Sequence, residues 1–279
     1  MEFIEKLVEK WRTWGDSMKN HKLLDNIYLL IIFIFLFLPI LILIVFSFNS
    51  SRLNIVFEHF TFYWYKELFK NTVLLEALVN TLIVAIFSTL ISTIVGTISA
   101  YGLKKYDFWG KKFINELLYI PIIIPEIVLG ISLLCIYSFF KLKLGMFSLI
   151  LSHIAFSIPF VIINVNSAFD AMHPNIEEAA SDLGASKFQT LIKIVLPCLM
   201  PGILSGSQLA FTLSLDDVVV SYFTAGPDSN TLPLQIFSMI KSGVTPDVNA
   251  LITLMILFIF LGLNISMIAS VRRMRRVGV

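Results

Sequence analysis

Two adjacent carboxylates, Asp216 and Asp217, interrupt the apolar stretch SLDDVVV at residues 214–220. An ionised group in hydrocarbon is costly, so acids persist there where they face a partner or a water-filled path. If one helix runs outward from Met200, Asp216 lies about 24 Å along it at 1.5 Å per residue. Ser205, Gln208, Thr212 and Asp216 follow helical spacing and share one face. Asp217 points about 100° away, toward the side of Ser214 and Ser221; the alternative role for both acids, and for Asp217 more than Asp216, is a solvated helix end. A third acid, Glu126, stands in IPIIIPEIVLG, residues 120–130. Counted from Ile114 along a continuous helix it is about 18 Å deep. Pro121 and Pro125 are expected to bend or interrupt that helix and to free backbone carbonyls beside Glu126. Carboxylates and free carbonyls together suit an ammonium group. Tyr222 or Phe223 would add an aromatic face for cation–π contact.

The elements that must position these residues are membrane spans. The chain has 279 residues, 57% hydrophobic and 14% charged, whereas a soluble domain carries roughly a quarter charged residues. Six apolar blocks are long enough to cross about 30 Å of hydrocarbon. They are Asp25–Phe48, Asn80–Leu103, Ile114–Phe140, Phe147–Phe169, Met200–Tyr222 and Ala250–Val271. With the N-terminus inside, 15 of the 21 Lys and Arg residues fall in cytoplasmic segments, which places both termini in the cytoplasm. The expected organisation is an amphipathic cytoplasmic segment (1–24), a six-span domain (25–271) and a basic cytoplasmic tail (272–279).

The N-terminal segment carries Ile4, Leu7, Trp11, Trp14 and Met18 on one side of a helix. It reads as an interfacial helix, or as one that docks on a partner, and not as a secretory signal. The outer loop 49–76 is aromatic, and LPLQIFSMIKSGV (232–244) suits a short amphipathic helix after Pro233. His153, Asn80 and Asn264 read as hydrogen-bonding groups between helices. Cys135 and Cys198 read as structural thiols.

The cytoplasmic loop PNIEEAASDLGASKFQTLIKIVLP, residues 174–197, reads as a pair of short helices. Pro174 suits a first helical position. Ile176, Ala179, Ala180 and Leu183 form an apolar face. Gly184 suits the left-handed position after the helix. Ser186 and Gln189 form a capping box that opens the second helix, and Pro197 is expected to stop it.

Glu178-Ala179-Ala180, then Gly184, then Ile194-Val195-Leu196-Pro197 resemble, without a gap, the EAA loop of ABC importer permeases. FSFNSSR (46–52), SLDDVVVS, AGP (225–227), LPLQIFSMIKSGV and TPDVNAL (245–251) are similar to the spermidine/putrescine branch of that family. The similarity covers roughly residues 40 to 265. The resemblance implies an all-α integral membrane protein with the six-helix type I importer (MetI-like) permease fold. It implies that the 174–197 hairpin is the coupling helix, which inserts into a groove on the ATP-binding subunit. Glu178, Ala179, Ala180, Leu183, Gly184 and Pro197 are the coupling residues on this reading. The implied partners are a second permease, a dimer of ATP-binding subunits that holds ATP and Mg, an extracytoplasmic polyamine-binding protein and membrane lipid. The implied location is the bacterial inner membrane. Polyamines carry several ammonium groups along an apolar chain, which matches a path with Asp216, Glu126, Asp217, Thr212, Gln208 and Tyr222.

Motifs for other chemistry do not occur: there is no G-x-x-x-x-G-K-[ST], H-E-x-x-H or G-x-S-x-G, and His21, His59, His153 and His173 are far apart. The chain is therefore read as a non-catalytic subunit with no cofactor of its own and no nucleic-acid partner. Two alternatives stand beside the polyamine reading. One is a permease of the same family for another solute, such as an anion or a metal chelate. The other is a proton-coupled secondary transporter or a scaffold without a path. The acids argue against an anion path, and the EAA hairpin argues against a transporter that needs no ATPase.

Overall fold

The computed structural model describes residues 25–52, 56–240 and 245–277, with side chains of the last helix described to residue 261. The amphipathic segment 1–24, the end of the tail and the Asn264 side chain lie outside the described residues. The chain divides into two compact units, one from residues up to Lys70 together with those from Val244, the other from Asn71–Gly243.

In the first unit, helix α1 (Asp25–Phe46) has a mean hydropathy of 3.5 over its most apolar stretch, and none of that stretch is buried. Such an all-round apolar surface suits lipid. The following loop folds on itself. Asn49 is buried; its Nδ2 donates to the Val56 carbonyl at 2.7 Å, and its Oδ1 accepts from the Glu58 N–H at 2.9 Å. Trp64, in α2 (Tyr63–Leu68), donates its indole N–H to the Asn49 carbonyl at 2.7 Å. Phe48 stacks on Phe60 at 5.2 Å and meets Phe62 edge-on at 5.4 Å, so the aromatic loop is an ordered cluster. α2 packs against the long last helix, α12 (Pro246–Val277).

The second unit is built on three mutually packed helices: α3 (Thr72–Lys105), α6 (Met146–Ala171) and α9 (Leu196–Asp216). Lipid tails supply no hydrophobic drive between helices, so close contact of small residues must hold them. Ser88, Ser92, Gly96 and Ala100 form such a buried row on α3. A Cβ added to Gly202 of α9 would sit 2.5 Å from the Asn164 carbonyl oxygen of α6. Val161, Ile162, Val165, Leu199 and Ala210 complete the core.

The third candidate span is two helices, α4 (Lys111–Ile123) and α5 (Glu126–Phe139), bent by 113° at the Pro125 break. The depth of 18 Å for Glu126, which assumed one continuous helix, therefore does not hold. Among the described residues four helices are long and apolar enough to cross a membrane, and five if the bent pair counts as one. The candidate span Ala250–Val271 falls on α12.

The 174–197 loop forms α7 (Ile176–Asp182) and α8 (Lys187–Thr190). Two expectations are corrected here. Pro174 lies in the turn before α7, whose N-cap is Asn175. Pro197 does not stop a helix: a π-helical turn, Leu191–Val195, carries α8 without interruption into α9. The Leu196 N–H bonds the Leu191 carbonyl in that wider turn. A π turn lets the helix pass a residue that lacks an N–H and would otherwise clash with the carbonyl four residues earlier. Short helices α10 (Val219–Thr224) and α11 (Leu232–Met239) complete the unit, the latter opening with Pro233 in its first turn.

Candidate functional site

Glu126, Asp216 and Asp217 line one cavity of about 380 Å³, walled also by Pro121, Phe156 and Phe160. Each acid sits where a helix breaks, and the three environments differ.

Glu126 is the first residue of α5 and is exposed. The Pro125 carbonyl accepts the Val128 and Leu129 N–H groups, at 2.9 and 3.2 Å. The break frees two sets of backbone groups beside Glu126: the N–H groups that start α5, and the carbonyls of the last turn of α4, which ends at Ile123. The α5 start is the positive end of its helix dipole and stabilises the carboxylate.

Asp216 is the last residue of α9 and is exposed. Here the sign reverses. A helix C-terminus presents unpaired carbonyls and partial negative charge, so an acid there is unfavourable without a cation. An ammonium at this place would meet both the carboxylate and the helix end.

Asp217 follows the break, with an extended backbone (ψ 123°) that ends α9. The expected single span Met200–Tyr222 is therefore interrupted. Its side chain is 6% exposed. Oδ1 accepts the Val220 N–H at 3.2 Å, and Oδ2 accepts the Ser221 N–H and the Ser221 hydroxyl, each at 2.7 Å. Asp217 thus caps α10. The buried His153 ring from α6 completes this arrangement: Nδ1 lies 2.7 Å from the Ser214 Oγ, and Nε2 lies 3.1 Å from the Ser221 Oγ and 3.4 Å from Asp217 Oδ2. Ser214 in turn meets Ser88 of α3 at 3.1 Å. His153 bonds across helices, as its type suggested, but its link to Asp217 was missed. Ser214 and Ser221, placed on either side of the acid pair, are the signal that pointed to it.

The other path candidates lie elsewhere. Gln208 and Thr212 are exposed on α9 and do not line the cavity. The Thr212 hydroxyl donates to the Gln208 carbonyl at 3.0 Å. Tyr222 is also outside the cavity, exposed and edge-on to Phe223 at 5.4 Å.

A second locus is the 174–197 hairpin. Gly184 has φ +85°. Around it the Ala185 N–H bonds the Ala180 carbonyl at 3.0 Å and the Gly184 N–H bonds the Ser181 carbonyl at 2.9 Å, a Schellman ending. The Ser186 hydroxyl accepts the Gln189 N–H at 3.3 Å, and Gln189 Oε1 accepts the Ser186 N–H at 2.9 Å. The apolar face expected on α7 is packed within the chain only in part: Ala180 is buried and Ile176 half-buried, but Ala179 is exposed and Leu183 is 89% exposed. Glu178 is exposed beside them. Lys105, at the end of α3, pairs with Glu177, and Lys104 pairs with Asp170 at 2.6 Å. A face of small and apolar side chains is thus presented outward on a hairpin tied to α3.

Comparison with known proteins places this geometry in context. Residues 92–276 match the model of the binding-protein-dependent transport system inner membrane component family. The chain is 45% identical over 235 residues to the spermidine/putrescine transport system permease protein PotC of Escherichia coli, covering 84% of this chain and 89% of that one. It is 36% identical over 237 residues to the putrescine transport system permease protein PotI of the same organism, covering 82% and 84%. Its fold is similar to that of a chain from a bacterial ABC transporter involved in import of the acidic polysaccharide alginate. That match has a TM-score of 0.72 at 17% identity and covers 90% of this chain and 96% of that chain.

Proposed function

This chain belongs to the family of binding-protein-dependent transport system inner membrane components, and on that premise we propose that it is the permease subunit of an ATP-driven importer of polyamines. The observation that carries the substrate class is Asp216, an exposed acid at the C-terminal end of α9, in a cavity it shares with Glu126. Negative groups at a helix C-terminus recruit cations. Aromatic walls from Phe156 and Phe160 and aliphatic ones from Leu129 and Leu213 suit the methylene segments between ammonium groups. The names of the relatives support the same substrate.

In this proposal six spans cross the inner membrane with both termini in the cytoplasm. A second permease completes the path, facing the polar stripe of Gln208, Thr212 and Asp216. A binding protein delivers polyamine from outside, and Tyr222 contributes near the mouth. ATP and Mg are held by a separate pair of ATPase subunits. The outward face of Glu178, Ala179 and Leu183, backed by the buried Ala180, with Gly184 shaping its end and Pro197 opening α9, is where the ATPase docks. The continuous helix from Lys187 to Asp216 would connect that docking site to the acid at the path.

The test is uptake of labelled spermidine into vesicles that hold the whole complex, with ATP hydrolysis followed in the same sample. Asp216→Asn should lower uptake while ATP is still hydrolysed. Unchanged uptake would remove Asp216 from the path.

A further inference from the structure

Two neighbouring acids would ordinarily be given one role. Their surroundings here differ too much for that. Asp216 is exposed, and among the described residues its carboxylate accepts no hydrogen bond. Asp217 is nearly buried and accepts from Val220, from Ser221 twice, and lies within reach of His153. Its capacity for a further ammonium is largely used.

The direction of the protons follows from the carboxylate. Asp217 has none to give, so at 2.7 Å the Ser221 hydroxyl must donate to it. That hydroxyl has a single proton. Toward His153 Nε2, 3.1 Å away, it acts as an acceptor. Nε2 must therefore carry a proton, shared between the Ser221 oxygen and Asp217 Oδ2.

This network holds the joint between α9 and α10. α10 spans only Val219–Thr224, and a helix so short does not form without outside support. Asp217 supplies its cap, and His153 fixes Asp217 from a ring that is itself wholly buried on α6. Because Asp217 directly follows Asp216, the backbone that it pins also sets where Asp216 points.

We infer that His153 is a positioning residue: with Ser221 it immobilises Asp217 as the pin of the α9–α10 joint, and leaves Asp216 and Glu126 as the acids that meet the transported cation. The inference rests on the polyamine-path reading for its consequence, but the network itself can be tested without it.

The experiment uses the assembled transporter in vesicles with His153→Asn, His153→Gln, Asp217→Asn and the double variant His153→Asn/Asp217→Asn. A glutamine amide can place an N–H near the Nε2 position, whereas that of asparagine is too short. Spermidine taken up per ATP hydrolysed should fall about tenfold in His153→Asn and in Asp217→Asn, as for a lost hydrogen bond to a charged group. The double variant should be no worse than the more impaired single one, and His153→Gln should retain most of the uptake. In parallel, the ¹⁵N spectrum of histidine-labelled wild-type complex should show a proton on Nε2 of His153, with the signal assigned by its loss in His153→Gln. If uptake falls in Asp217→Asn but not in His153→Asn, Asp217 meets the substrate by itself and the inference fails while the polyamine reading stands. Independent, multiplying losses in the double variant would overturn it equally. If the wild-type complex takes up no spermidine, the polyamine reading fails and the spectrum decides the network: an unprotonated Nε2 rejects it. The same wild-type spectrum decides the matter if a variant does not assemble.

Discussion

Lys105, in the last turn of α3, forms an ion pair with Glu177 in the first turn of α7. It ties the outward-facing hairpin to one of the three packed helices. The two side chains are 40% and 23% exposed, so the pair contributes about 1 kcal/mol or less to stability. On the proposed function, the pair would pass displacement of α7 on to α3. Lys105→Ala should leave the unfolding temperature nearly unchanged and lower uptake per ATP hydrolysed. The exchanged pair Lys105→Glu with Glu177→Lys should recover part of that loss. An unchanged ratio in Lys105→Ala would show that the pair does not transmit movement.

At Gly184 the backbone, not space, is limiting. A Cβ would meet nothing within 4 Å, but φ is +85°. A β-branched residue in that conformation costs about 1–2 kcal/mol, and more where it reshapes the turn. Gly184→Val should uncouple ATP hydrolysis from uptake, while Gly184→Asn, which tolerates the left-handed region, should remain close to wild type. Coupled uptake in Gly184→Val would contradict this.

Gly202 is limited by space. Its Cβ would lie 2.5 Å from the Asn164 oxygen and 2.6 Å from the Ala168 Cβ. The first of these is backbone and cannot rotate away, so α9 and α6 must separate. Gly202→Ala should destabilise the solubilised protein by about 3 kcal/mol, read as a lowered thermal unfolding midpoint. A midpoint equal to that of wild type would mean that the two helices are not held this closely.

The end of the second unit where α3 starts and α11 begins depends on Thr81. Its hydroxyl, buried at 2% exposure, accepts the Leu232 N–H at 2.7 Å, and Asn80 donates to the Asn230 carbonyl at 3.0 Å. Thr81→Val keeps the shape and leaves a buried N–H unpaired, at a cost of about 1–3 kcal/mol. Protease cleavage between 225 and 232 should become faster. An identical cleavage rate would show that Asn80 suffices.

Local chemistry was legible in the residues themselves. The capping box of Ser186 and Gln189, the left-handed Gly184 and the helix at Pro233 all involve groups within a few positions of one another, where side-chain type and backbone sterics dictate the outcome. The gapless match at Glu178–Pro197 pointed to the family for the same reason: it is one contiguous stretch. Pro174 and Pro197 were misjudged because neighbours decide whether a proline starts, stops or is absorbed by a helix, and a π turn absorbed the second.

Only the folded chain decided how distant elements meet. That Glu126 shares a cavity with Asp216 follows from the 113° break between α4 and α5, and that His153 reaches Asp217 follows from how closely α6 and α9 approach at Gly202 and Gly206. Between helices in lipid, hydrophobicity is equal on every side. Register and rotation are then set by which small residues nest and which polar groups find partners. Those are properties of pairs of helices, and neither member of a pair encodes them alone.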